Sequence, residues 1–82
     1  MPGARKIFEI KARWDAEARV WWCSNDELPL ATEAPNFEQL VSRVLQIAPE
    51  IAVENGLAVP GDEIELHVLA EHVQSVPVIA AA

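Results

Sequence analysis

The side chains that could carry metal or redox chemistry in this 82-residue chain are few and scattered. The chain has one cysteine, Cys23, and two histidines, His67 and His72. Their spacing matches neither C-x-x-C nor H-x-x-x-H, the patterns typical of metal sites. In a strand, His67 and His72 would also point to opposite faces. The pattern predicts surface histidines, no metal site and no cofactor.

Carboxylates flank the segment around the cysteine, and paired carboxylates can hold Mg²⁺ or act as acid and base. They fall in predicted turns, where acidic residues are common for conformational reasons. The nearest basic neighbour of Cys23 in sequence is Arg19, so no base is placed to activate the thiol. The three glycines form no phosphate-binding loop. We therefore expect no catalytic residue and a protein that is not an enzyme.

Two adjacent tryptophans, Trp21 and Trp22, are the most distinctive pair of side chains. Adjacent residues of a strand face opposite sides, so one tryptophan should pack in the core and the other should lie on the far face. An outward tryptophan can stack on the stems of Lys11 or Arg13, or it can anchor a partner. The sequence does not decide which of the two faces outward.

Charge is distributed unevenly along the chain, whose formal net charge is −7. Residues 1–19 hold five of the six basic side chains, while residues 20–82 hold only Arg43 against ten acids. Such a surface repels phosphate backbones and attracts a basic partner. No apolar run approaches the roughly 18 residues of a membrane span, and no signal peptide precedes the first predicted strand. We expect a cytoplasmic protein that binds neither nucleic acid nor membranes.

The elements that must position these residues follow from periodicity. Alternation predicts strands over residues 6–14, 19–24, 30–34 and 62–70, with turns between the first three. Residues 73–82, "VQSVPVIAAA", either add a short edge strand or fray. A helical stripe begins after the N-cap residue Asn36 and stops at Asn55-Gly56. Pro49 predicts a kink in this helix, or a break with a second short helix.

The predicted fold is therefore α+β, with the element order β-β-β-α-β in one domain over residues 1–82. The sheet is four-stranded and rich in antiparallel pairs, with one kinked helix on one face. Its other face is left to solvent or to a partner. No C-terminal DNA-binding module is expected after residue 70.

Several short motifs resemble a bacterial "domain of unknown function" family of the HicB-like antitoxin superfamily. They are, in order, "WDAEARVW" (Trp14 to Trp21), "DELP" with "LATEA" (Asp26 to Ala34), "NFEQL" (Asn36 to Leu40) and "PEIAVENG" (Pro49 to Gly56). The resemblance implies a HicB-like fold, a partial version of the ribonuclease H topology. It also implies a domain that covers and blocks a small basic, HicA-like ribonuclease toxin. The glycine that usually follows the proline of the second motif is absent, because Leu30 follows Pro29 directly.

These observations predict a non-enzymatic, antitoxin-like domain that binds a small basic protein. The alternative is a stand-alone homodimer, paired through its open sheet face or edge, with a structural or small-ligand-binding role. The partner-binding residues predicted for the first function are Trp21, Trp22, Asp26, Glu27, Glu33, Glu38 and Glu50.

Overall fold

The alternating N-terminal segment forms the central strand of the sheet. The computed structural model describes residues 6–79, and in it strand β1 runs over Lys6–Asp15. Strands β2 and β3 run over Val20–Asn25 and Leu30–Ala34. Helix α1 covers Phe37–Glu54, and strand β4 covers Ile64–Glu71. This order confirms the predicted β-β-β-α-β arrangement; β3 has the predicted bounds, and the boundaries of the other strands differ from the prediction by at most two residues.

The four strands make one sheet in the order β3-β2-β1-β4. The pairs β1–β2 and β2–β3 are antiparallel and joined by short turns. The pair β1–β4 is parallel, because α1 carries the chain back to the starting end of β1. The sheet is therefore mixed, and α1 packs on one of its faces. Residues 72–79 form no strand, so the described part of the tail adds no edge strand; residues 80–82 of the predicted tail lie outside the described residues.

Capping interactions fix both ends of α1, at Asn36 before its first residue and at Gly56 after its last. Asn36 Oδ1 accepts a hydrogen bond from the Gln39 N–H at 2.9 Å, which confirms the predicted N-cap. At the other end, Gly56 has φ +71 and Leu57 N–H donates to Ala52 O at 2.8 Å. This left-handed residue and backward bond are the usual way to end a helix.

Pro49 lies inside α1, which continues unbroken through it. The alternative of a second helix opening at Pro49 is therefore wrong. Proline removes one backbone donor and crowds the preceding turn. The helix tolerates this because Val44 and Ala48 before Pro49 and Ala52 after it are all buried against the sheet. Packing on both sides of the proline holds the helix together.

The core lies between α1 and the side of the sheet that the helix covers. Its fully buried side chains alternate along the strands and repeat at helical spacing along α1. They are Phe8, Ile10, Ala12, Cys23, Leu28, Leu30, Ala34, Leu40, Val44, Ala48 and Ala52. Within residues 6–79, no helix is long and apolar enough to cross a membrane.

Candidate functional site

The two adjacent tryptophans lie on opposite faces of the sheet, as the parity of a strand predicts. Trp21 lies on the helix-covered face, where its ring centroid is 5.7 Å from that of Trp14 and 5.4 Å from that of Phe37. Trp22 lies on the open face and is 38% exposed. The tryptophan available to a partner is therefore Trp22.

Trp22 stands between two charged neighbours of opposite sign. In the strand register it pairs with Arg13 of β1 on one side and with Glu33 of β3 on the other. A shallow depression surrounds the indole, and we call it the Trp22 surface. It is lined by Glu9, Lys11, Arg13, Trp22, Ser24, Asn25 and Asp26, and it continues over Ala31 and Glu33.

The β2–β3 turn places its acidic residues at the end of this surface. Asn25 Oδ1 accepts a hydrogen bond from Leu28 N–H at 2.7 Å, and Asn25 Nδ2 donates to Glu9 O at 2.8 Å. Leu28 is fully buried and holds the turn against the core. Asp26 and Glu27 are left exposed between these two fixed points.

Arginine side chains on the two faces already have internal partners. Arg13 Nε lies 3.6 Å from Glu71 Oε1 across the β1–β4 pair. Arg43 of α1 donates from Nη1 to the backbone oxygen of Glu33. Arg43 is the one Lys or Arg residue after position 19, and α1 also carries the three acids Glu38, Glu50 and Glu54.

The structure brings together only part of the predicted contact set. Trp22, Asp26 and Glu33 share the open face, and the exposed Glu27 lies in the turn at its end. Trp21 is half-buried on the other face. Glu38 and Glu50 are exposed on α1, where their separation by twelve positions turns them about 120° apart. One compact partner cannot contact all seven residues.

Asn25 is the residue of this site that the sequence reasoning missed. An asparagine that ends a strand just before two acidic residues is a recognisable signal for a side-chain-to-backbone turn. Such a turn fixes the direction in which the following acids point. Here Asp26 becomes part of the lining of the Trp22 surface.

The groups that could bear catalytic or metal chemistry are separated in the described structure. Asp15 lies at the β1–β2 turn, where its Oδ1 accepts from Glu17 N–H at 3.0 Å. Asp26 lies at the opposite end of β2, about 17 Å away along the strand. Among residues 6–79, no three His, Cys, Asp or Glu side chains form a group that could hold a metal ion.

Cys23 is buried on the helix-covered face. Burial raises the pKa of its thiol above the ordinary value, and a hydrogen bond with the Thr32 backbone opposes this shift only in part. A thiol whose charged form is disfavoured is a poor nucleophile near neutral pH. The geometry supports the interpretation of Cys23 as a packing residue.

Comparison with known proteins agrees with this fold and names no activity. The sequence model of a family described as a domain of unknown function, DUF1902, matches residues 7–80. The crystal structure of a hypothetical protein from the extremely thermophilic bacterium Thermus thermophilus is 32% identical in sequence, with a TM-score of 0.66. The match covers 89% of this chain and 100% of that one. No curated protein matches this chain.

Proposed function

Because the chain belongs to the DUF1902 family of domains of unknown function, we propose that it is a non-enzymatic, HicB-like domain that binds another protein. The partner is a small basic protein, which the domain neutralises in the manner of an antitoxin. The single cysteine, which is buried and unpaired, supports the reducing cytoplasm as its location.

The observation that carries this proposal is the exposure of Trp22 on a sheet face that none of the described elements covers. Tryptophan is enriched among the residues that dominate binding energy at protein interfaces. Its large ring contributes contact area at low cost in side-chain entropy. The neighbouring β2–β3 turn is fixed by hydrogen bonds, so the site is largely formed before a partner arrives.

Charge supports the choice of a basic partner. The Trp22 surface and the turn at its end carry four acids, Glu9, Asp26, Glu27 and Glu33, against two basic side chains, Lys11 and Arg13. The Arg13 charge is partly offset by its contact with Glu71. The acids of α1, Glu38 and Glu50, lie on the other face and would steer a basic partner at long range without contacting it.

The geometry of the polar groups supports a role without catalysis. Asp15 and Asp26 lie at opposite ends of β2 and cannot act as a pair. The Cys23 thiol is buried and its pKa is raised. Binding is the activity that the exposed side chains are arranged to perform.

The test compares charge reversals on the two faces. A small basic protein is sought among the neighbouring gene products and among proteins that co-purify with the chain at low salt. Its binding to the purified wild-type chain is measured by calorimetry at low and high salt. D26K/E33K reverses two charges beside Trp22, and E38K/E50K makes the same change in net charge on α1. We expect the first variant to lose at least tenfold in affinity, which corresponds to about 1.4 kcal/mol. The second should lose less, and its loss should vanish at high salt.

A third variant isolates the tryptophan. W22A should weaken binding at both salt concentrations, while L45A, which shortens an exposed apolar residue of α1, should bind as the wild type does. Equal losses for the two charge-reversal variants would contradict the placement of the site on the open face. The absence of a small basic protein among neighbouring gene products and among proteins that co-purify at low salt would remove the antitoxin proposal.

A further inference from the structure

The two edges of the sheet are built differently. Strand β3 has five residues and is bracketed by Pro29 and Pro35, so it offers little backbone to a neighbouring strand. Strand β4 has eight residues and contains neither proline nor lysine. In the described sheet its one neighbour is β1, so its outer backbone edge has no strand beside it. A long edge of this kind is a template for pairing with another chain.

The residues after β4 continue past the sheet as an apolar segment, which we call the arm and define as residues 72–79. Its aliphatic side chains are almost fully exposed: Val73 is 83% exposed, Val76 72%, Val78 97% and Ile79 88%. The chain is 67 Å long with a radius of gyration of 16.6 Å, whereas a compact domain of this length has about 12 Å. The family match extends to residue 80, so the arm is part of the domain that the family shares.

An apolar cleft lies at the start of β4, at the end of the strand remote from the arm. We call it the β4 cleft; it is lined by Pro49, Val53, Ala58, Val59, Pro60 and Ile64, among others. Its Val53 and Val59 side chains are exposed. Along the sheet beside it, the helix-side residues Ile64, Leu66 and Val68 are only half-buried, because β4 lies at the margin of the helix-covered face.

The arm does not lie in the cleft of its own chain. It leaves the sheet at Glu71, and Ile64, beside the cleft, lies seven residues back, about 23 Å along the strand. The aliphatic side chains of the arm are exposed, so none of the described elements covers them. The arm and the cleft of one chain are therefore both accessible to a second copy.

From these features we propose that two copies of the chain pair antiparallel through their β4 edges, and that each lays its arm in the β4 cleft of the other. Antiparallel pairing brings the end of one β4 to the start of the other. A two-fold axis through His67 or Val68 keeps both helices on one side of the joined sheet. It sets Glu71 of one copy beside the first residues of the other β4, so the arm leaves the joined sheet at the end where the β4 cleft lies.

The arm lacks Asp, Glu, Lys and Arg side chains, so it can contact a second acidic copy without bringing further like charges together. Each copy has a formal net charge of −7, and like charges across an interface are costly. Residues 72–82 contain no Asp, Glu, Lys or Arg and are the longest such run in the sequence. The paired β4 edges add a further repulsion, because they set Glu71 of one copy opposite Glu63 or Glu65 of the other. Association should therefore strengthen with added salt, opposite to the salt dependence expected for a basic partner.

The first test is sedimentation of the full chain at micromolar concentration. We expect the wild type at twice its 9.0 kDa mass and V76D/V78D as a monomer with an unchanged circular dichroism spectrum, because both side chains are exposed in the single chain. S42D/Q46D, which adds the same charge on the exposed side of α1, should remain dimeric. W22S should also remain dimeric.

A monomeric wild type overturns the proposal, and so does a V76D/V78D variant that stays dimeric. Loss of the dimer in W22S would place the contact on the open face and overturn it as well. A disulfide experiment locates the arm separately, with Cys23→Ala chains that each carry one new cysteine. A mixture of V76C and V59C chains, when oxidised, should form a disulfide between residue 76 of one copy and residue 59 of the other. The yield should be far higher than for a control mixture of V76C and S42C chains. Equal yields of the two disulfides would contradict the exchange of arms.

Discussion

The helix-covered face of the sheet and its open face differ in what their side chains touch. Along β1, Phe8 is fully buried under α1, while the preceding residue, Ile7, is 55% exposed. Along β2, Trp21 packs against Trp14 and Phe37, whereas Trp22 stands between Arg13 and Glu33. A single step along the backbone separates the two environments, because successive strand residues face opposite sides.

This difference implies that side chains of the open face, where we propose that a partner binds, can be changed with little effect on stability. A chain of 82 residues has a single core and a small margin of stability, so side chains under α1 cannot be changed freely. The open face contributes less buried apolar area to the fold. In a pair of neighbouring residues, the same substitution should therefore lower the free energy of unfolding on the covered face and change mainly the exposed surface on the open face.

The largest expected effect is that of Phe8→Ala compared with Ile7→Ala. Removing the buried ring leaves a cavity under α1 and should cost about 3–5 kcal/mol in the free energy of unfolding. Ile7→Ala removes a half-exposed side chain from the same strand and should cost less than about 1 kcal/mol. Urea unfolding followed by tryptophan fluorescence measures both values. Similar costs for the two variants would show that the open face is covered in solution.

A second comparison uses the tryptophan pair itself. Trp21→Ala should destabilise the fold by about 2 kcal/mol, since it removes half-buried apolar area and two aromatic contacts. Trp22→Ala should change stability by less than about 1 kcal/mol while it weakens binding to the proposed basic partner. Thermal unfolding beside a binding assay separates the two effects. Trp22→Ala as the more destabilising variant would reverse the assignment of the faces.

The periodicity of the sequence was sufficient for most of the fold. Strand parity predicted that Trp21 and Trp22 would be divided between the faces, and Asn36 predicted the start of α1. Periodicity could not decide which tryptophan faces the helix, because that depends on which side of the hairpin α1 covers. It also could not show that α1 continues through Pro49, since packing of Ala48 and Ala52 against the sheet decides this.

The candidate site was less accessible from sequence than the fold. Acidic residues are equally typical of solvated turns and of binding surfaces, so their number does not locate a site. The pairing register of β2 and β3 places Glu33 beside Trp22, whereas Glu38 lies on α1, at the opposite face of the sheet. The order of residues alone shows neither placement. The hydrogen bonds of Asn25, which fix the turn carrying Asp26, depend on Glu9, sixteen positions away.

A third comparison uses thiols on the two faces. Cys23 is buried, so at neutral pH an alkylating reagent should modify it only through opening of the structure. A Cys23→Ala chain carrying Ser24→Cys presents a thiol on the open face one residue later, and this thiol should react at the rate of an exposed one. Mass spectrometry of timed samples gives both rates. Rapid modification of Cys23 in the folded wild type would contradict its burial.

The smallest expected effect is a dependence of stability on alkaline pH. Burial raises the pKa of Cys23 in the folded state, so the unfolded chain loses the thiol proton at lower pH than the folded chain does. Below the ordinary thiol pKa, the thiol is protonated in both the folded and the unfolded chain and does not oppose folding. As the pH rises above that pKa, loss of the proton stabilises the unfolded chain first, so the free energy of unfolding falls. From about pH 7 to about pH 10, the wild type should therefore lose stability relative to Cys23→Ala, a variant with no thiol to titrate. Urea unfolding of the two proteins at each pH measures the difference in their free energies of unfolding. A difference that stays constant over the whole pH range would show that the Cys23 thiol is as accessible to water in the folded chain as in the unfolded one.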